Sequence, residues 1–378
     1  MIYLDNAATT GKKPISVIRA VDTALVKYCA NPGRSGHKRS EMTAVRVYET
    51  REALADFFGA SGPENVVFTQ NCTHSLNCVI KGVLTGRDHV IVSSLEHNSV
   101  MRPLVKSGVS YDVAEVSLTD DAVTVNNFRD KIRDNTKMII CTGASNVLGK
   151  ILPIAEIGSL CFEKGILFTV DAAQIAGIVD INMQKMHIDY LCIAPHKGLY
   201  APMGIGALIC EKPINDTIIE GGTGTESVNF AQPDMLPERV ESGTINVPAI
   251  LGISAGTEFV KMRGISNVYR HEMQLIKMLY DGLKNSKHCI LYAPSPESGS
   301  YAPVLSFNVE GMTSGETAQL LDRYGIAVRA GLHCAPTAHR AIGTVDTGTV
   351  RVSPSVFNTR EEIAYLLRTV NSKPFIKK

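Results

Sequence analysis

The chain has 378 residues, 44% of them hydrophobic, with 38 lysines and arginines against 37 acids for a formal charge of +1. That length and apolar content can bury one large core or two that share an interface, and the balanced charge, free of any like-charge block, argues against a nucleic-acid arm or a membrane patch and for a small-molecule partner. No uncharged apolar run approaches the roughly 20 residues of a membrane helix. Nine cysteines are scattered without CxxC pairs, and the chain opens on "MIYLDNAATT" without a signal-peptide pattern, so a reducing cytoplasm is expected. From there on, short β-rich runs alternate with helical patterns: "NVVFT" (65–69), "HVIVSS" (89–94), "KMIICTGAS" (137–145), "ILFTVDAAQ" (166–174), "DYLCIAPH" (189–196) and "GALIC" (206–210), with helices over 73–83 and 154–164. Near-continuous apolar strands separated by helices predict an α/β fold whose mostly parallel sheet is covered on both faces. Beyond about residue 255 the texture changes to a long helical stretch (250–284), strand candidates "YAPVLSFNV" (301–309) and "GIAVRAG" (325–331), and a closing helix "TREEIAYLLRTV" (359–370). That reads as a smaller α+β domain. Cys141, Cys192 and Cys210 fall inside apolar strand runs and are expected to pack as small hydrophobes.

In open parallel sheets ligands sit beyond the carboxyl ends of the strands. Three polar signals fall at such ends: Asp171 and Gln174 after "ILFTV", His196 and Lys197 after "DYLCIA", and Cys72 to His74 after "NVVFT". A carboxylate, an amide and an amine gathered there suit a cofactor with a cationic ring nitrogen, a phenolic oxygen and an aldehyde, and pyridoxal 5'-phosphate has all three. Its phosphate needs hydroxyls and backbone N–H groups at a helix start. Taken singly, each residue has a plainer reading. A lysine beside glycines is usually a loop charge, an aspartate after a strand a helix cap, and a histidine at position 97 a loop residue bonding its own backbone. No metal ligand set is expected.

Nine stretches together resemble one family: "YLDNAATT" (3–10), "FTQNCTHSLN" (68–77), "EHNSVMRPL" (96–104), "SNVLG" (145–149), "VDAAQ" (170–174), "HKGLYAPMGIGAL" (196–208), "ESGTINVPAILG" (241–252), "VRAGLHCAP" (328–336) and "VRVSPSVFNTREEI" (350–363). The chain resembles the cysteine desulfurases and selenocysteine lyases of the class V aminotransferases, group II in particular, within the fold-type-I pyridoxal phosphate enzymes. The resemblance runs nearly end to end. It implies a large cofactor-binding domain with a seven-stranded, mostly parallel sheet over residues 14–258, and a small domain formed by 1–13 and 259–378.

It further implies that Lys197 bonds the cofactor aldehyde, Asp171 pairs with the pyridine nitrogen, Gln174 reaches the phenolic oxygen and His97 stacks on the ring, where its imidazole would also shuttle protons near neutral pH. Asn146 would lie beside the cofactor and the incoming substrate. Thr73, backbone amides and His196 would hold the phosphate with Cys72, although family members often carry hydroxyl residues where this chain has Cys72 and Ala194. Thr244 would reach the phosphate of a second subunit, which implies a two-fold dimer with shared sites. The glycine-rich "GGTGTES" (221–227) would edge the neighbour's cofactor, and Arg34 and His37 would close the site from that neighbour. Arg351, assisted by Arg329, would clamp the carboxylate of an amino-acid substrate. Cys334 would be the nucleophile, made a thiolate near His333, Arg329 or the substrate amine, and would take sulfur from L-cysteine as a persulfide while alanine departs. A protein or small thiol then accepts the sulfur. Rival readings are a selenocysteine lyase acting on L-selenocysteine, a class V aminotransferase needing no cysteine, and a non-catalytic scaffold.

Overall fold

Strands and helices alternate from Val66 onward, as the apolar runs predict. The computed structural model describes residues 1–33, 36–297 and 299–376. A short strand β1 (Ile2–Tyr3) and helices α1 (Ile15–Lys27) and α2 (Lys38–Phe58) come first. They are followed by β2 (Val66–Thr69), α3 (Cys72–Val83), β3 (His89–Ser93), α4 (Asn98–Ser107), β4 (Ser110–Ala114), α5 (Asp121–Arg129), β5 (Thr136–Thr142), α6 (Ile154–Lys164), β6 (Leu167–Asp171), β7 (Tyr190–Ile193) and β8 (Gly206–Cys210). These strands form a seven-stranded sheet in the order β2-β8-β7-β6-β5-β3-β4, parallel except for β8, which runs antiparallel to both neighbours.

Every residue of β2, β3, β7 and β8 is buried, the pattern expected of strands covered on both faces and the reason their sequences read as unbroken apolar runs. Edge strand β4 carries no such signal. Its "SYDVA" exposes Ser110 and Tyr111, which suits an edge but hides the strand from an apolar-run reading. Cys141, Cys192 and Cys210 lie fully buried within β5, β7 and β8, packed as expected, and none of the nine cysteines is paired.

The remaining elements are α7 (Val247–Arg263), α8 (Ile265–Lys284), β9 (Cys289–Leu291), β10 (Leu305–Val309), α9 (Ser314–Arg323), β11 (Ile326–Ala327), β12 (Arg329–Gly331), α10 (Pro336–Ala341), β13 (Thr349–Val352) and α11 (Arg360–Val370). The expected single helix over 250–284 is two, because Gly264 sits between them at φ 79°, a left-handed conformation that glycine adopts without a Cβ clash and that a continuing helix excludes. The expected strand 325–331 likewise divides at Val328. Strands β12, β13, β10 and β9 form a four-stranded antiparallel sheet, while β11 pairs with β1. Leu275, Leu279 and Leu283 of α8 pack with Phe307, Val350, Val352, Ile363 and Leu366 to make a second core against this sheet. Among the described residues no helix is long and apolar enough to cross a membrane.

Because β2, β3, β5, β6 and β7 are parallel, their carboxyl ends open on one edge of the sheet, where the polar segments emerge side by side. Two glycines let them approach. A Cβ on Gly206 would collide with the backbone of Asn71 at the start of α3, and one on Gly198 would collide with the carbonyl of Ala176 beyond Asp171.

Candidate active site

A cavity of about 120 Å³ opens at that edge. Cys72 and Thr73 of α3, His97, Asn146, Asp171, Gln174, His196 and Lys197 all line it, so segments far apart in sequence meet around one space. Asp171, the last residue of β6, is buried, and its Oδ1 accepts the Ala173 N–H at 3.0 Å and the Cys72 thiol at 3.5 Å. No α-helix starts there, so the carboxylate caps only a turn. Gln174 Nε2 donates to the Ala7 carbonyl at 3.1 Å.

Lys197 follows β7 and presents its amine to the cavity without a side-chain hydrogen bond among the described residues. Burial lowers its pKa, and the nearby Asp171 carboxylate opposes that shift. An amine so placed loses its proton more readily than a solvated lysine, which is what a carbonyl-attacking nucleophile requires. His196 also lines the cavity. Burial pulls its pKa down to about 4, and its Nδ1 is buried with no hydrogen-bond partner.

His97 is the N-cap of α4: its Nδ1 accepts the Ser99 N–H at 3.1 Å and lies 2.7 Å from the Ser99 hydroxyl. Burial lowers its pKa to about 4, which corrects the expected titration near neutral pH: the ring is neutral at pH 7, and with Nδ1 accepting, the ring proton belongs on Nε2. The plain reading of His97 as a residue bonding its own backbone and the placement beside the cavity are therefore both true of it.

Cys334 does not line this cavity, yet its turn is bonded to the rim. His333 and Cys334 have φ values of 51° and 56°, rare for residues with a Cβ and costing on the order of 1–3 kcal/mol each. Two hydrogen bonds hold them there, Asn146 Nδ2 to the His333 carbonyl (2.7 Å) and the Asn98 N–H to the Cys334 carbonyl (2.7 Å), while the Thr337 hydroxyl ties the following helix to the Glu96 carbonyl (2.6 Å). Cys334 itself is exposed while His333 is buried. Burial and the Arg351 charge lower the His333 pKa to about 3, and its Nδ1 faces His339 Nε2 at 3.4 Å. Of the groups expected to favour the thiolate, His333 is thus a neutral, inward-packed ring that supplies no positive charge.

Arg329 and Arg351 occupy directly facing positions of the β12–β13 ladder. Like charges so placed repel, and an anion between them relieves the repulsion. Arg351 is buried, with Nη2 on Asp5 Oδ1 (2.7 Å), Nη1 on the Asn146 carbonyl (3.1 Å) and a buried Nε without a partner. Among the described residues the Arg329 guanidinium has no hydrogen bond or ion pair. Sequence reading missed Asp5, whose only signal was its place in "YLDNAATT". It also missed Glu96, a fully buried carboxyl that accepts the Thr142 N–H and the Ser93 hydroxyl, and whose pKa is pushed up to about 8 by burial.

Thr244 lies elsewhere, exposed in a separate cleft shared with His74. Its segment is anchored by Glu241, which takes a two-pronged ion pair from Arg51 (2.7 and 2.8 Å) and the Phe68 N–H. His37 is exposed and caps α2 through Ser40, with no bond to the cavity among the described residues, and the 221–227 loop is irregular and largely exposed. Arg34 lies outside the described residues.

A family model for class V aminotransferases matches residues 2–366. The chain belongs to that family. A probable cysteine desulfurase of Pyrococcus abyssi is 33% identical over 97% of this chain and 92% of its own length, and a cysteine desulfurase of Haloferax volcanii is 29% identical over 98% and 89%. Among solved structures, the apo cysteine desulfurase of Thermococcus onnurineus superposes with a TM-score of 0.89 at 33% identity, covering 98% of this chain and 93% of the other. The Escherichia coli cysteine desulfurase CsdA gives 0.86 at 26% with the same coverage. The mostly parallel sheet flanked by helices is accordingly the fold-type-I architecture that the sequence implied.

Class V aminotransferases work with pyridoxal phosphate, and the donor set of this cavity suits that group. A buried carboxylate answers a protonated ring nitrogen, a desolvated amine answers an aldehyde, and the orphaned Nδ1 of His196 with the first-turn amides of α3 answers a phosphate. Asn71 Oδ1 caps the His74 N–H at 2.9 Å, while among the described residues the Cys72 and Thr73 N–H groups remain without partners.

Proposed function

We propose that the chain is a pyridoxal phosphate-dependent cysteine desulfurase that moves sulfur from L-cysteine to Cys334 as a persulfide and leaves L-alanine. The observation that carries this reading is the bonding of the Cys334 turn to Asn146 and Asn98, which couples a strained, exposed thiol to the rim of the Lys197 cavity. An aminotransferase has no use for such a turn.

Lys197 would hold the cofactor covalently, Asp171 would pair with its ring nitrogen and Gln174 with its phenolic oxygen, and Thr73 with His196 and the α3 amides would bind its phosphate. Bound there, the cofactor supplies the electron sink that lets the substrate's carbon–sulfur bond part. Arg329 and the free Nε edge of Arg351 grip the substrate carboxylate, fixing the sulfur toward Cys334. With the cofactor bound, Lys197 would carry the alpha proton on Nζ, and His97 would keep a proton on Nε2 beside the cavity. The Cys334 thiolate attacks the substrate sulfur. A sulfur–sulfur bond forms, the carbon–sulfur pair stays with carbon and is protonated, and the products are the Cys334 persulfide and alanine. A protein or small-thiol acceptor in a reducing cytoplasm then takes the sulfur. Residues 14–258 form the cofactor-holding domain, and 1–13 with 259–378 the smaller domain that brings Cys334 and Arg351.

With L-cysteine and a dithiol reductant, the protein is expected to release alanine and sulfide in equal amounts; a keto acid in place of alanine would contradict the reading. The same assay with L-selenocysteine separates a desulfurase from a selenocysteine lyase.

We also assign the chain to a two-fold dimer in which Thr244 reaches the partner's phosphate and His37 closes the partner's site. Ile15, Ile18, Leu25 and Val26 of α1, Val45 and Tyr48 of α2, and the almost fully exposed Val228 and Phe230 are apolar side chains that such an interface would cover. Sedimentation should give a two-chain particle, consistent with an obligate interface of ~2,000 Å² or more. A fully active monomer at micromolar concentration would refute the shared site.

A further inference from the structure

We infer that Cys72 is a positioning residue for the Asp171 carboxylate and takes no part in binding the phosphate. This assignment rests on the cofactor reading above and departs from the role that the resemblance gave position 72. Cys72 is the first residue of α3 and is nearly inaccessible. Its Sγ lies 3.5 Å from Asp171 Oδ1, inside the reach of a sulfur donor. A carboxylate has no proton to give, so the thiol donates. Its own surroundings keep it protonated, because burial, reinforced by the neighbouring Asp171 charge, pushes the Cys72 thiol well above the ordinary cysteine range.

The second donor to Oδ1 is the Ala173 N–H at 3.0 Å. One bond comes from the helix after β2 and the other from the turn after β6, so the carboxylate is held from two directions through the same oxygen. Neither bond uses Oδ2, which is left as the oxygen for a cationic ring nitrogen. The thiol thereby sets which oxygen meets the ring and moderates the basicity of the carboxylate that keeps the ring protonated. The phosphate is left to Thr73, His196 Nδ1 and the free α3 amides, a cup with one side-chain hydroxyl and none from Ala194.

The two roles separate when the phosphate is removed from the ligand. Full-length apoprotein of the wild type, Cys72→Ala, Cys72→Ser and Thr73→Ala is titrated with pyridoxal phosphate and with pyridoxal, followed by absorbance, and the bound chromophore is then titrated with pH. Cys72→Ala should weaken both ligands by the same factor, about two- to five-fold for loss of one weak donor to a charged acceptor. It should also shift the chromophore's pH midpoint by a few tenths of a unit, a shift that Cys72→Ser, still a donor, reverses. Thr73→Ala should weaken pyridoxal phosphate by about ten-fold and leave pyridoxal unchanged. Weakening of pyridoxal phosphate alone in Cys72→Ala, or an unshifted midpoint in that variant, would overturn the assignment. A wild type that gives no chromophore with either ligand would overturn the cofactor reading itself, and this assignment with it, before any variant is compared.

Discussion

Lys197→Ala is expected to fold normally, to lose the near-visible absorbance of the loaded protein, and to lose at least about 10³-fold in alanine production. Folding should survive because the Lys197 amine makes no side-chain hydrogen bond among the described residues, and its removal takes a desolvated amine out of a buried setting. Chemistry should not survive, because a methyl side chain at that position can neither attack an aldehyde nor move a proton. Borohydride reduction followed by peptide mapping checks the claim: wild type should carry the label on the Lys197 peptide, and the variant should carry none. A variant that stays coloured and active would move the covalent anchor to another residue.

Cys334→Ser is expected to fail differently. The turn should persist, since its ties run through the backbone carbonyls of His333 and Cys334 to Asn146 and Asn98, and serine keeps both carbonyls. Arg329, Arg351 and Lys197 are untouched, so L-cysteine should still bind and perturb the absorbance with near-normal affinity. Turnover should fall by about 10³-fold or more, because a serine hydroxyl at neutral pH is a far weaker nucleophile than a thiolate toward sulfur. The loss therefore sits in kcat, with KM little changed. Near-normal alanine output from Cys334→Ser would replace sulfur transfer to the enzyme by direct elimination or amino transfer.

The sheet was legible because its central strands are buried on both faces and so spell continuous apolar runs, as in "HVIVS" and "YLCI". Edge strand β4 and the break at Gly264 were not, the first because two of its five residues face solvent, the second because a single glycine inside a helical pattern does not by itself announce a stop. Asp171, Gln174, His196 and Lys197 were legible as a group, since parallel strands deliver their carboxyl ends to one edge whatever the detail of packing. Side-chain directions were not. The thiol of Cys72 turns to Asp171, the ring of His333 turns inward to His339, and Arg351 is already engaged by Asp5. Each follows from contacts between segments far apart in sequence, which periodicity and motif spacing do not encode. Thr244 and His37 sit away from the cavity in a single chain, and the reading that unites them with it depends on a second copy.

Sulfur transfer to Cys334 is tested most directly by mass spectrometry of the intact protein and its peptides after brief incubation with L-cysteine in the absence of reductant. The peptide containing Cys334 should gain one sulfur atom, a thiol reductant should remove it, and alanine should form in step with the gain. An unmodified Cys334 in a preparation that is nonetheless producing alanine would contradict that transfer.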